Sequence, residues 1–360
     1  MKKTLLASTA IAGSMMLLGA TSALSQTTVS GNLNLSYKAI GNNGATANKV
    51  NSTEYFGKEI QINIANKGTL NNGLGYAAGF SIEQDGSQMS STASTTSGST
   101  DAIGVFSENV YIDLIAGKTT ISFGADHVQN PDNEITNLVG VVDIDDNASG
   151  IMALTPNYVN NAGSAYQAFG VAVIQSTDVG NFSLRYTPDS TNGLSSGDDG
   201  ATGTSTGSFS VGEAAYEIGY VGSPVKGLSL QGFYSQKGTG IAGKNELDSI
   251  TLGAKYNFGA FTAAISQKEQ DTLGTANADV TTKTRAYGIA YAATPNVTVG
   301  LNMASTEQTA TTVKEKMKQV SVGYNLGPIF AGVSYVKAEN VDNLAEKEGN
   351  AGFVFMGTKF

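Results

Sequence analysis

Between positions 126 and 165 the chain holds six carboxylates, Asp126, Asp132, Glu134, Asp143, Asp145 and Asp146, and no lysine or arginine. Carboxylates in such density can concentrate cations, oppose anions, or hold a hard divalent ion through oxygen. The run Asp143-Ile144-Asp145-Asp146-Asn147 has the look of a calcium loop, but the twelfth position, where an EF-hand needs a bidentate Glu, is Leu154. No metal site is therefore expected. His127 is the sole histidine and cysteine is absent, which excludes metal centres of the Cys/His kind. A Ser–His nucleophile needs its base within hydrogen-bond reach, and no nucleophile motif accompanies His127. The chemistry open to this segment is electrostatic: a field acting on passing ions, with no reaction and no cofactor.

A connection of this length without structure of its own is uncommon unless it has a function, so the elements that carry it matter. Met1-Lys2-Lys3 is basic, Thr4 to Gly19 is uncharged and apolar, and Ala20 to Ser25 is small and neutral. That is the layout of a secretory signal, cleaved after Ser25 or after Ala23. Residues 1–25 are set aside as a signal peptide, leaving 26–360 as one domain. Without Lys2 and Lys3 there remain 19 basic against 30 acidic residues. Phosphate backbones would be repelled by that balance, so nucleic acid is not an expected partner. Only 14% of residues are charged, against about a quarter in soluble domains. The surface therefore meets something other than water, or lies unusually flat and polar.

In residues 29–39, VSGNLNLSYKA, the apolar side chains fall on one parity and the polar ones on the other. Successive strand side chains point to opposite faces, so this is a strand with one greasy and one wet face. The pattern recurs at Ile60/Ile62/Ile64, Tyr76/Ala78/Phe80, Leu252/Ala254/Tyr256, Val297/Val299/Leu301 and Val333/Tyr335, among others. Segments near 166–175 and 351–360 read as strands of blurred parity. The links alternate in length. Seven tight ones (66–72, 116–119, 177–180, 222–227, 257–259, 294–296, 326–328) mostly hold the Gly, Pro or Asn that turns need. Eight long ones (40–55, 85–106, 126–165, 189–208, 238–247, 269–283, 307–317, 339–350) are mostly rich in Ser, Thr, Gly, Asn or Asp.

Short turns at one end and long loops at the other, joining sixteen strands, predict an all-β fold: a sixteen-stranded antiparallel transmembrane β-barrel. Hydrocarbon offers no hydrogen-bond partners, so the sheet must close. A barrel of that size is too wide for side chains to fill and encloses water. With no tryptophan, tyrosine must supply the aromatic girdle; Tyr37, Tyr76, Tyr186, Tyr220, Tyr234, Tyr256, Tyr291, Tyr324 and Tyr335 all fall on the apolar parity. The wet parity places Lys38, Arg185, Lys255 and Lys359 on the inner wall. The inner parity shows only scattered aromatics, Tyr111, Phe233 and Phe330, too few for the aromatic track of a substrate-selective channel.

The ending Val354-Phe-Met-Gly-Thr-Lys-Phe360 resembles the closing strand of proteobacterial porins, with Val354, Met356, Thr358 and Phe360 on one parity. With the signal, the opening strand TVSGNLNLSYKA and the strand count, the chain resembles the Gram-negative general diffusion porins over residues 26–360. The resemblance implies an outer-membrane homotrimer passing small hydrophilic solutes and ions, with Phe360 read by the barrel-assembly machinery. It also implies that the third long loop, 126–165, constricts the channel. Asp132, Glu134, Asp143, Asp145 and Asp146 would then face the basic wall residues Lys38, Arg185 and Lys255. Family members often carry Arg after a glycine at the end of the fifth strand; here Ala125 follows Gly124, which speaks against strong anion preference, while the loop acids favour a weak preference for cations. The competing reading is a secreted or surface β-rich adhesin, whose apolar faces would meet across a sandwich core.

Overall fold

A computed structural model describes residues 26–42, 53–86, 106–125, 138, 169–187, 214–238, 246–273, 279–341 and 344–360. Sixteen strands close into one antiparallel barrel in which each strand pairs with its sequence neighbours and the last with the first. The first quarter is β1 (Gln26–Asn42), β2 (Thr53–Thr69), β3 (Gly75–Gly86) and β4 (Phe106–Ala116). Then come β5 (Thr119–Ala125), β6 (Phe169–Thr177), β7 (Gly180–Thr187) and β8 (Ala215–Val225). They are followed by β9 (Leu228–Lys237), β10 (Leu247–Phe258), β11 (Phe261–Leu273) and β12 (Asp279–Thr294). The circuit ends with β13 (Val297–Gln308), β14 (Glu315–Asn325), β15 (Ile329–Glu339) and β16 (Gly349–Lys359).

The burial pattern inverts that of a soluble protein. Leu252, Leu301, Val320, Val333 and Val354 stand exposed, while Asn32, Gln61, Ser122, Thr251, Ser266, Asn302 and Gln319 are buried on the opposite parity. An adhesin sandwich would hide the first set against a second sheet; here they form a continuous outer face that only an apolar medium covers. At the short-turn end this face is rimmed by rings in contact: Tyr256, Phe258, Phe261 and Tyr291 run with centroids 6.1, 5.7 and 4.9 Å apart. Tyr37–Phe56 and Tyr186–Tyr216 pair at the long-loop end, each at 5.1 Å. Phenylalanine thus shares the girdle that composition assigned to tyrosine alone.

Most tight turns fall where expected; the link expected over 66–72 lies at 70–74 and that expected over 222–227 at 226–227, because β2 and β8 run on further. Gly117 and Gly259 take φ of 60° and 64°, a left-handed backbone that glycine adopts without steric cost. Two further differences from expectation have physical reasons. The link anticipated over 269–283 spans only 274–278, because β11 and β12 continue past the apolar band as a polar ladder. There Lys283 pairs with Glu269 at 2.6 Å and the Thr281 hydroxyl donates to Asp271 at 2.7 Å. A strand polar on both faces leaves no period-two signal in the sequence. In β16 the parity blurs because Phe353 and Phe355 point inward while Val354 and Met356 point outward. Phe353 packs inside with Met317, Val336, Ala338, Val341 and Ala351, so both faces of that strand are apolar.

The seam between β1 and β16 is closed at its lower end by backbone alone. The Phe360 N–H donates to the Gly31 carbonyl at 3.0 Å and the Gly31 N–H to the Phe360 carbonyl at 2.9 Å. Gly31 has no side chain because its Cβ would strike the Gln61 carbonyl and the Phe360 ring.

Candidate functional site

The inner wall of the barrel is the site, and strand parity builds it. On β2, β3 and β4 the inward positions include Glu59, Glu83 and Asp113. Two of these acids are fixed by amides on the neighbouring strand: Asn32 Nδ2 donates to Glu59 at 2.6 Å and Gln61 Nε2 to Glu83 at 2.7 Å. On β10 and β11 the inward positions include Lys255 and Lys268. Strands β3 and β11 are eight steps apart around a ring of sixteen, so Glu83 and Lys268 sit on opposite sides of the lumen. Asp113 stands three residues before the end of β4 and Lys255 three before the end of β10, which gives them similar heights above the short turns. An acidic arc facing a basic arc sets up a field transverse to the direction of flow. In a water-filled lumen salt screens that field over about 8–10 Å at physiological ionic strength.

The basic residues expected on the wall all have inward parity, but they differ in what they offer a solute. Arg185 is buried and its Nη1 donates to Glu217 at 3.0 Å, with side-chain exposures of 1% and 3%. Its charge is largely neutralised in place. Lys38 is also buried, its ammonium 5.0 Å above the centre of the Phe353 ring across the seam, a cation–π contact that holds it to the wall. Lys255 is half-buried and makes no ion pair among the described residues. Lys359 is exposed at the last position of β16. Of the four, Lys255 is therefore the wall cation most available inside the channel.

Glu59, Glu83, Asp113, Glu217 and Lys268 were missed as site residues in the sequence. The signal was uneven: each lies on the wet parity of its strand, but only Asp113, between Ile112 and Leu114, and Glu217, between Tyr216 and Ile218, stand between apolar lipid-facing neighbours, while Lys268 lies between Gln267 and Glu269. The loop acids Asp126, Asp132, Glu134, Asp143, Asp145 and Asp146, with His127, lie outside the described residues, as does the segment 1–25 expected to be a signal. One residue of that loop is described. Leu138 packs against Ala290, a buried residue on the inner face of β12.

Long loops at one rim, a polar interior and an oily exterior describe a pore, and the family model described as "Gram-negative porin" matches residues 7–352. The chain belongs to the Gram-negative porin family. Its solved structural relatives are distant in sequence and alike in architecture. The anion-selective porin from Comamonas acidovorans is 15% identical with a TM-score of 0.62, over 94% of this chain and 100% of that one. A mutant of the Rh. blastica porin is 16% identical with a TM-score of 0.59, over 93% and 100%. The in-vitro folded OmpT of Vibrio cholerae, in its trimer form, is 10% identical with a TM-score of 0.55, over 93% and 99%. No curated protein matches the chain. The porin is thus an outer-membrane barrel, and its lumen is a diffusion channel whose wall charges are its own.

Proposed function

We propose that this porin passes small hydrophilic solutes and ions passively, with a weak preference for cations set by loop 126–165. The observation that carries this is Leu138 packed on Ala290: a residue in the first third of the longest loop lies against the inner wall. On this reading the loop brings its carboxylates, Asp132, Glu134, Asp143, Asp145 and Asp146, to the channel, and its sequence carries no lysine or arginine to offset them. The wall itself is nearly balanced, since Arg185 cancels Glu217 and Glu83 and Asp113 face Lys268 and Lys255. Loop carboxylates then tip the sum. The Comamonas relative is named anion-selective, and at 15% identity its side chains, not its strands, separate it from this chain.

The same reading includes export by the segment 1–25, assembly read from Phe360 by the barrel-assembly machinery, and a homotrimer, as for the trimeric Vibrio relative. Permeation involves no bond-making step and no energy input. The test is reversal potential in planar bilayers under a salt gradient. Asp143→Asn, Asp145→Asn and Asp146→Asn together should lower cation-over-anion permeability about two- to threefold, by removal of charge within one Debye length of the path. An unchanged reversal potential removes these residues from the constriction.

A further inference from the structure

The outer face holds a second charged feature, above the lipid-covered band and outside the channel. Six of the chain's 21 lysines and arginines, Lys283, Arg285, Lys314, Lys316, Lys318 and Lys337, gather at the long-loop end of β12–β15. Lys283, Arg285, Lys316, Lys318 and Lys337 have outward parity, and Lys314 immediately precedes β14. Three of the six are answered: Lys283 by Glu269 at 2.6 Å, and Arg285 and Lys314 by Glu307 at 3.2 and 3.0 Å. The other three are exposed and make no ion pair among the described residues.

Two of these, Lys318 and Lys337, are direct cross-strand partners. Like charges placed opposite one another on one sheet face repel, in a chain that otherwise carries excess acid. Directly beneath them the lipid face begins: the next outward pair is Val320 and Tyr335, both exposed. On β14 only Val320, Val322 and Tyr324 separate Lys318 from the end of the strand at the short-turn rim. The apolar face is short here, so the two ammonium groups sit at the hydrocarbon edge and must extend upward to reach polar partners. The position selects the partner: an anion fixed at headgroup depth and attached to apolar chains.

We propose that the outer face of β13–β15 binds a phosphorylated lipid headgroup of the outer leaflet, with Lys318 and Lys337 bracketing a phosphate and Lys316 beside them. Tyr335, Val320 and Met303, the β13 neighbour of Lys318, would take the first segment of an acyl chain. This rests on the outward face being lipid-facing and is independent of ion selectivity in the lumen.

The test uses the detergent-purified mature porin, titrated with bis-phosphorylated lipid A, with dephosphorylated lipid A of the same acyl chains, and with inorganic phosphate, bound lipid being counted by native mass spectrometry. The wild type should retain the bis-phosphorylated lipid at least tenfold more tightly than the dephosphorylated one. Lys316→Gln, Lys318→Gln and Lys337→Gln together should abolish that difference, and Lys→Arg at the same positions should keep it. Unchanged single-channel conductance of the glutamine variant shows that it folds; if it does not, Lys318→Gln alone is measured and should lose severalfold. Equal retention of both lipids by the wild type, equal retention by glutamine variant and wild type, or displacement of the lipid by inorganic phosphate at comparable concentration overturns the proposal. So does dissociation of the oligomer by the glutamine substitutions in lipid-free detergent, which would make the patch a contact between copies of this chain.

Discussion

Leu252 projects from the outer face of β10 between Ile250 and Ala254, and 55% of it is exposed. An arginine there carries its charge into hydrocarbon, where at the midplane the cost is about 2–4 kcal/mol. Leu252→Arg is expected to lower folding stability in lipid vesicles by about 3 kcal/mol, read from urea unfolding, and to leave reversal potential unchanged because the side chain points away from the lumen. Two strands away, on β8, Glu217 points to the pore side and is met by Arg185 at 3.0 Å. A charged side chain is costly on one face and accommodated on the other. What decides is the medium each face meets.

At the scale of elements, neighbouring turns are tied by charge. Lys118, in the turn between β4 and β5, donates to Asp178, in the turn between β6 and β7, at 2.6 Å. The hydrogen bond from Lys118, then its charge, holds the Asp178 carboxyl below its ordinary value. With the folded value depressed, whatever the pair contributes is present above the unfolded value and is lost as pH falls through the folded one. Both side chains are well exposed, so that contribution is small. Lys118→Ala should raise the Asp178 titration midpoint in carbon-detected NMR with no measurable loss of thermal stability. A midpoint that stays put would mean the pair does not form in micelles.

The strands were legible wherever one face is oily and the other wet, as in residues 29–39 of β1 and around Leu252 in β10. They were harder to read where that contrast fails. The upper ends of β11 and β12, polar on both faces, read as loop; β16, apolar on both, read as uncertain because Phe353 turns inward onto Met317 and Val336. The site was half legible. Parity put Lys38, Arg185 and Lys255 on the inner side, yet how each is engaged among the described residues depends on Glu217 and Phe353, and those contacts join residues 32 and 315 positions apart. A transverse arrangement of charge requires knowing which strands face one another across the ring, and local pattern carries no such information.

At the scale of the whole molecule, strand order follows sequence order everywhere except at one junction, β1 with β16. Leu35 lies opposite Met356 and Tyr37 opposite Val354. Removal of residues 349–360 should leave fifteen strands with two bare edges, which a membrane does not accept. We expect no heat-modifiable species on gels and no conductance from that truncation.

That junction also sets a timetable. β1 pairs with β2 early but finds its second partner, β16, only after the ribosome has made the other extremity. Until then every greasy parity is naked, and adjacent hairpins stay open to mispairing with other nascent copies. Circularisation is thus a late event, because the ring cannot shut until its last ribbon exists.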